Sequence, residues 1–168
     1  MDFRLSEEQQ ALQAAAREFA RGEMTAVAEE TEREARPLSR EWVKRYAEMG
    51  FLGVNIPTRY GGLGLGNVDA LLVLEEFAKI SSAVAFPIFE SVVGPVRALE
   101  HFADDALKDR VIPAVCRGEM MVAVAMSEPD AGTALTDLRT RAEVRGDRIV
   151  LNGAKRWCSG GGHSDAYL

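Results

Sequence analysis

An apolar run, Met121-Val122-Ala123-Val124-Ala125-Met126, ends abruptly in Ser127-Glu128-Pro129-Asp130-Ala131-Gly132-Thr133. A run of that length predicts a buried strand, and the polar loop after it presents backbone N–H groups and a hydroxyl to a ligand. A second delivery of this kind lies at Asn152-Gly153-Ala154-Lys155-Arg156-Trp157-Cys158-Ser159-Gly160-Gly161-Gly162. It turns at Asn-Gly, is expected to run as a short strand, and leaves Trp157 and Ser159 beside a glycine run. Other chemistries find no support in the residue pattern. His101 and His163 lack the i, i+4 partner of a helical metal site, and no Gly-x-Ser-x-Gly elbow is present. Glu75 and Glu76 are adjacent in a helical stretch, so they point to different faces and are expected to meet arginines at a helix boundary.

The elements that must position these loops begin with composition. Of 168 residues, 47% are apolar and 27% charged, which describes an ordinary globular protein able to bury a core. A net charge of -6 argues against a nucleic-acid or anionic-membrane binder, which would want a cationic face. No apolar run approaches a bilayer span, Met1-Asp2-Phe3-Arg4 has no signal-type apolar region behind it, and two cysteines form no metal or disulfide framework. A cytosolic location is the expectation.

Ser6-Glu7-Glu8-Gln9 is a capping box, opening a helix with Leu12, Ala15, Ala16 and Phe19 on one face and Arg17 outward. A second helix, near 39–49, carries the stripe Leu38, Trp42, Tyr46, Met49. Tyr60-Gly61-Gly62-Leu63-Gly64-Leu65-Gly66 resembles a nucleotide loop only superficially; its helical neighbourhood makes it a tight helix–helix connection. Asn67 is expected to cap the next helix, whose apolar residues over 68–77 surround the axis and predict the most buried element. A helix over 84–99 follows, with Pro87 in its first turn and an interruption at Gly94-Pro95; a last helix is capped by Asp104 and closed by Gly118.

Past Gly118 the period becomes two. Leu138, Thr140, Ala142 and Val144 alternate with charged residues as a half-buried strand, joined through Gly146-Asp147 to Ile149-Val150-Leu151. The fold class is therefore α+β, an all-α helical bundle over residues 1–118 followed by an incomplete antiparallel β domain over 119–168. Four or five strands are too few to close a barrel or sandwich, so an edge is expected to stay open or be completed by another chain.

In this order, Leu5-Ser6-Glu7-Glu8-Gln9, Tyr60-Gly61-Gly62, Ser127-Glu128-Pro129-x-Ala131-Gly132-Thr133 and Asn152-Gly153-x-Lys155-x-Trp157 resemble the acyl-CoA dehydrogenase family over the whole chain. The resemblance implies a helical N-terminal domain plus the first part of a flavin-binding middle β domain. It implies FAD as cofactor and α,β-desaturation of an acyl-CoA thioester as reaction. By that likeness Val124, Met126, Ser127, Gly132, Thr133, Trp157, Cys158 and Ser159 hold the cofactor. Ser127 donates to the N1/C2-carbonyl edge, Trp157 lies on the ring face away from substrate, Ser159 bonds near N5, and Gly132 and Thr133 meet the pyrophosphate. Thr133, Ala85, Phe86 and Phe89 meet substrate. Asp130 and Ala134 depart from the family pattern, and at Ala134 an acid that supports the loop is lost. The family's catalytic carboxylate lies in a C-terminal helical domain, so no residue here is assigned as catalytic. The implied partners are an acyl-CoA and further chains, in a homo- or hetero-oligomer, that supply that domain. Two alternatives stand beside it: a non-catalytic interaction subunit paired with a complete flavoenzyme, and part of an acyl-CoA oxidase or related flavin monooxygenase.

Overall fold

Ser6 and Gln9 form the expected capping box, each backbone N–H donating to the other's side-chain oxygen at 3.2 Å. The structure, a computed structural model, describes residues 4–168; the Met1-Asp2-Phe3 part of the N-terminal reading lies outside the described residues. Helix α1 (Glu7–Phe19) runs through a π turn (Ala20–Met24) into α2 (Thr25–Arg33). Helices α3 (Arg40–Glu48), α4 (Asn67–Ala78), α5 (Ser82–Val92), α6 (Pro95–Phe102) and α7 (Asp105–Cys116) follow. Asp104 Oδ1 accepts from Leu107 N–H at 2.8 Å at the start of α7, and Gly118 takes the left-handed conformation beyond its end (φ 67°).

Four rings hold the bundle together. Phe19, Tyr46, Phe51 and Phe77 meet with centroids 5.0–5.9 Å apart, mostly edge to face, and the Tyr46 hydroxyl donates to Val84 C=O at 3.1 Å. A second cluster of Ile56, Tyr60, Val96, Val111, Ile112, Val115, Cys116 and Val122 joins α6 and α7 to the β region. Between α3 and α4 the glycine loop folds back on the preceding turn. Leu63, Gly64 and Leu65 N–H groups donate to Gly53, Ile56 and Val54 carbonyls at 2.8–2.9 Å. Gly62 is required there, since a Cβ would overlap the Ile56 carbonyl. The connection reading accounts for this loop.

Several expectations are corrected in the helices. Ala15 is exposed, and Val43 rather than Met49 completes the buried stripe of α3. Gly66, not Asn67, is the residue before α4, its N–H capped by Asp69 Oδ2 at 2.8 Å, while Asn67 Oδ1 accepts from Asn55 at 2.8 Å. Helix α4 is not the most buried element. Val68 is 55% and Leu71 52% exposed, whereas α5 buries Val84, Ala85, Pro87, Ile88, Glu90, Ser91 and Val92. The sequence pattern surrounds the axis of α4, but only one face meets α1 and α5. Pro87 falls in the second turn of α5 rather than the first. The segment Ser82–Phe102 (21 residues) is, contrary to the sequence reading, long and apolar enough for a bilayer span. It is two helices broken at Val93 and Gly94, packed against the protein.

The β region has one parallel and one antiparallel pair. Strand β1 (Val122–Ala123) pairs in parallel with β4 (Ala166–Tyr167), and β2 (Arg141–Arg145) pairs antiparallel with β3 (Arg148–Asn152) through Gly146 at φ 63°. The α+β class stands, with β1–β4 departing from the all-antiparallel expectation. The half-buried reading of the hairpin does not: Val144, Ile149 and Leu151 are exposed, because no other element among the described residues packs a layer on them. Residues 153–158 form no strand; Gly153 instead passes so close to Thr140 that a Cβ would overlap it. Asp165 moors β4 to the bundle through Arg40 at 2.6 Å and Met121 N–H at 2.8 Å.

Candidate functional site

Both polar loops of the sequence meet at one carboxylate. Glu128, which is buried, accepts from Arg139 N–H at 2.7 Å, Thr140 N–H at 2.9 Å and Lys155 Nζ at 2.9 Å. Hydrogen bonding from Thr140, from the Arg139 backbone and from Lys155 holds its carboxyl down at about 2, so it is ionised at neutral pH. Lys155 also donates to Met126 C=O at 3.1 Å, and Arg156 N–H donates to Ser127 C=O at 2.9 Å. Glu128 and Lys155 thus clip the Ser127 loop to the segment that carries Trp157. The sequence reading assigned neither of them a role, although the charged pair inside the two quoted motifs was the available signal.

The Trp157 ring is 77% exposed, on a backbone at φ 60°, with the Arg156 guanidinium over it at 4.2 Å from the centroid. A non-glycine residue in that region is strained, and here the neighbouring backbone bond and the stacked guanidinium accompany it. Met126 is exposed, while Val124 and Ser127 are half-buried. Gly132 and Thr133 stand exposed beyond a tight turn in which Glu128 and Ala131 exchange backbone hydrogen bonds at 2.7 and 3.2 Å. Nothing lies within 4 Å of a Cβ built at Gly132. Cys158 is half-buried, and its carbonyl accepts from Gly161 N–H at 2.9 Å.

On the helical side, Phe86 and Ser159 line one cavity of about 290 Å³ between α5, the 36–38 connection and the 159–163 loop. Phe89 is half-buried against Phe86, with ring centroids 5.4 Å apart. Ala85 packs inside the bundle core with Val84 and Ile88 and does not line this cavity. The helical period puts it on the α5 face that the bundle covers. Glu76 meets an arginine as expected, whereas Glu75 pairs with Lys79 at 3.1 Å instead. Glu76 is buried and takes Arg17 at 3.0 and 3.1 Å and Lys79 at 2.9 Å, which makes Arg17 a tertiary contact rather than an outward residue. Among the described residues no cluster of His, Cys, Asp and Glu could hold a metal ion.

An open aromatic ring, an exposed glycine turn and the half-buried Ser127 four residues beyond β1 thus lie on two loops held together beside a helical bundle. Residues 6–119 match the family model described as acyl-CoA dehydrogenase, N-terminal domain, and residues 123–168 match acyl-CoA dehydrogenase, middle domain. The chain belongs to the acyl-CoA dehydrogenase family. It is 34% identical to a glutaryl-CoA dehydrogenase of Desulfococcus multivorans over 100% of this chain and 44% of that protein. It is 35% identical to a 3-sulfinopropanoyl-CoA desulfinase of Cupriavidus necator over 99% of this chain and 42% of that protein. A glutaryl-CoA dehydrogenase solved with glutaryl-CoA superposes with a TM-score of 0.92 at 34% identity, covering 99% of this chain and 43% of that one. PigA, solved as an FAD complex, superposes at 0.89 with 28% identity, over 99% and 44%. The chain spans less than half the length of these relatives.

Proposed function

We propose that this chain supplies the flavin-edge contacts and part of the acyl pocket of an FAD-dependent acyl-CoA dehydrogenase. The observation that supports this most is the Glu128–Lys155 clip at 2.9 Å, which sets Ser127 and the open Trp157 ring side by side. FAD, when bound, supplies a hydride acceptor whose reduction places negative charge on the N1/C2-carbonyl edge. Ser127 and the neighbouring N–H groups would favour that charge, and Trp157 would cover one ring face and exclude water. Val124, Met126 and Cys158 would complete the wall, Gly132 and Thr133 would take the pyrophosphate, and Ser159, which lines the cavity, would bond near N5. Phe86 and Phe89 line the acyl side. The α-proton base and the adenosine contacts come from a further helical domain, in this chain's longer form or in a partner of an oligomer. We place the protein in the cytosol. The glutaryl-CoA dehydrogenase and the desulfinase share an acyl-CoA ligand by name, so the ligand rests on both relatives and desaturation on the first alone.

The test is purification of the 168-residue chain, an absorbance scan, sizing, and titration with FAD. The expected result is little or no retained flavin, no flavin reduction by butyryl-CoA, and weak FAD binding that Trp157→Ala and Ser127→Ala weaken further. A yellow, stoichiometric monomer reduced by butyryl-CoA would overturn the need for another domain. FAD binding indifferent to both substitutions would overturn the site.

A further inference from the structure

The stripe Ser82, Ala83, Phe86, Pro87 and Glu90 of α5 lines the 290 Å³ cavity, and burial increases along it. Ser82 and Ala83 are exposed at the mouth, Phe86 is half-buried, and Pro87 and Glu90 are buried. Eight residues of helix rise span about 12 Å, so the cavity is a slot with Glu90 on its floor. The opposite wall is apolar through Leu38 and Met121, with Ser159, Gly160 and His163 beside them.

Two polar groups of this slot lack protein partners. Glu90 is only 5% exposed, and its Oε1 has no hydrogen bond among the described residues. His163 Nε2 is equally enclosed and unpaired, although the His163 carbonyl is taken by Arg40. A buried carboxyl oxygen without a partner forfeits its hydration with nothing in return, so native cores rarely keep one. Both residues line this slot, and Glu90 also borders a second cavity of about 10 Å³ with Ser91, Met120 and Met121. Arg36 at the rim is engaged by Glu30 and Glu34 and does not reach down to neutralise Glu90.

We infer that this slot is a subsite for a chain ending in a hydroxyl, whose O–H donates to Glu90 at the floor while its methylenes lie against Leu38, Phe86, Pro87 and Met121. On the acyl-CoA reading proposed above, the substrate is then a short acyl thioester with a hydroxyl at or near its far end rather than a plain alkyl one. A hydroxyl suits the floor better than an ammonium. Burial raises the Glu90 carboxyl to about 7, and an ammonium would require an ion pair on an apolar bed.

The probes are the pantetheine thioesters of 5-hydroxypentanoate, pentanoate and 5-aminopentanoate, titrated calorimetrically into the full chain, with FAD titrated separately. The 5-hydroxypentanoyl thioester should bind tenfold or more tighter than the pentanoyl one, since an analogue without the hydroxyl leaves the floor unpaired; ~tenfold is the modest end of such discrimination. Glu90→Leu should abolish that preference while raising the melting temperature, an outcome a purely structural Glu90 would not give. Glu90→Gln, which keeps the shape and an acceptor, should retain most of the preference and guards against misfolding in the first variant. Equal binding of the two thioesters, tighter pentanoyl or 5-aminopentanoyl binding, or no binding of any of them would overturn the subsite. FAD binding that Trp157→Ala and Ser127→Ala weaken, without hydroxyl preference, would leave the family-based function standing alone; hydroxyl preference with FAD binding indifferent to both substitutions would do the reverse.

Discussion

Glu90 and Glu76 sit on neighbouring helices, are about equally buried, and have opposite electrostatics. Glu76 is drawn down to about 2, first by the Arg17 hydrogen bonds and also by Lys79, whereas Glu90 is pushed up by burial with nothing to offset it. The signs follow. Glu90 holds its proton more tightly folded than unfolded, so its contribution is full below pH ~4.5 and is lost as pH rises through about 7. Glu76 contributes above pH ~4.5 and is lost as pH falls toward about 2. The two windows do not overlap. Urea denaturation at pH 5 and pH 7.5 should therefore show lower stability at the higher pH, by about 2 kcal/mol from Glu90. Glu90→Gln should remove that part of the pH dependence. Arg17→Met should lower stability in urea denaturation, by less than full orphaning of a buried charge would, because Lys79 still reaches Glu76.

At the scale of elements, the clip formed by Glu128 decides whether two loops form one site. Glu128→Gln keeps its shape but gives up the charge that Lys155 and two backbone N–H groups share. Amide exchange at Arg139 and Thr140 should quicken by about tenfold or more, since hydrogen bonds to charged groups are among the stronger ones. Exchange in α4 and α5 should be unchanged, and the comparison is made by hydrogen-exchange mass spectrometry. The glycine loop sets a different constraint. Gly62→Ala forces a Cβ against the Ile56 carbonyl, within the turn that joins α3 to α4. Its melting temperature should fall well below that of Gly132→Ala, where the added Cβ meets nothing within 4 Å.

For the whole molecule, the aromatic cluster and the β1 docking make one well-packed body from which the β2–β3 hairpin projects. Native-state exchange should rank accordingly, with residues 141–152 exchanging first and α5 last, because Val144, Ile149 and Leu151 lie open while α5 is enclosed. Slow exchange throughout the hairpin in the isolated, monomeric chain would contradict this picture.

Local chemistry determined a large share of this protein. The Ser6 and Asp104 caps, the Gly118 stop, the break at Gly94-Pro95 and the Gly146 turn depend on residues within a few positions of one another, so the sequence alone specified them. The ordered motifs around Ser127 and Lys155 likewise carried the family. Faces and partners were decided in three dimensions. Nothing in the apolar circumference of α4 tells that Val68 and Leu71 remain uncovered, because that depends on which helices arrive beside it. Arg17 and Glu76 are 59 residues apart, and Glu128 and Lys155 are 27 apart, so their pairing required the chain to fold back. Ala85 and Phe86 are neighbours in sequence, yet the bundle covers one and leaves the other lining a cavity. Glu90 read as one more charge in an apolar helix; only the packing of Met121 and the 159–163 loop against α5 made it the floor of a slot.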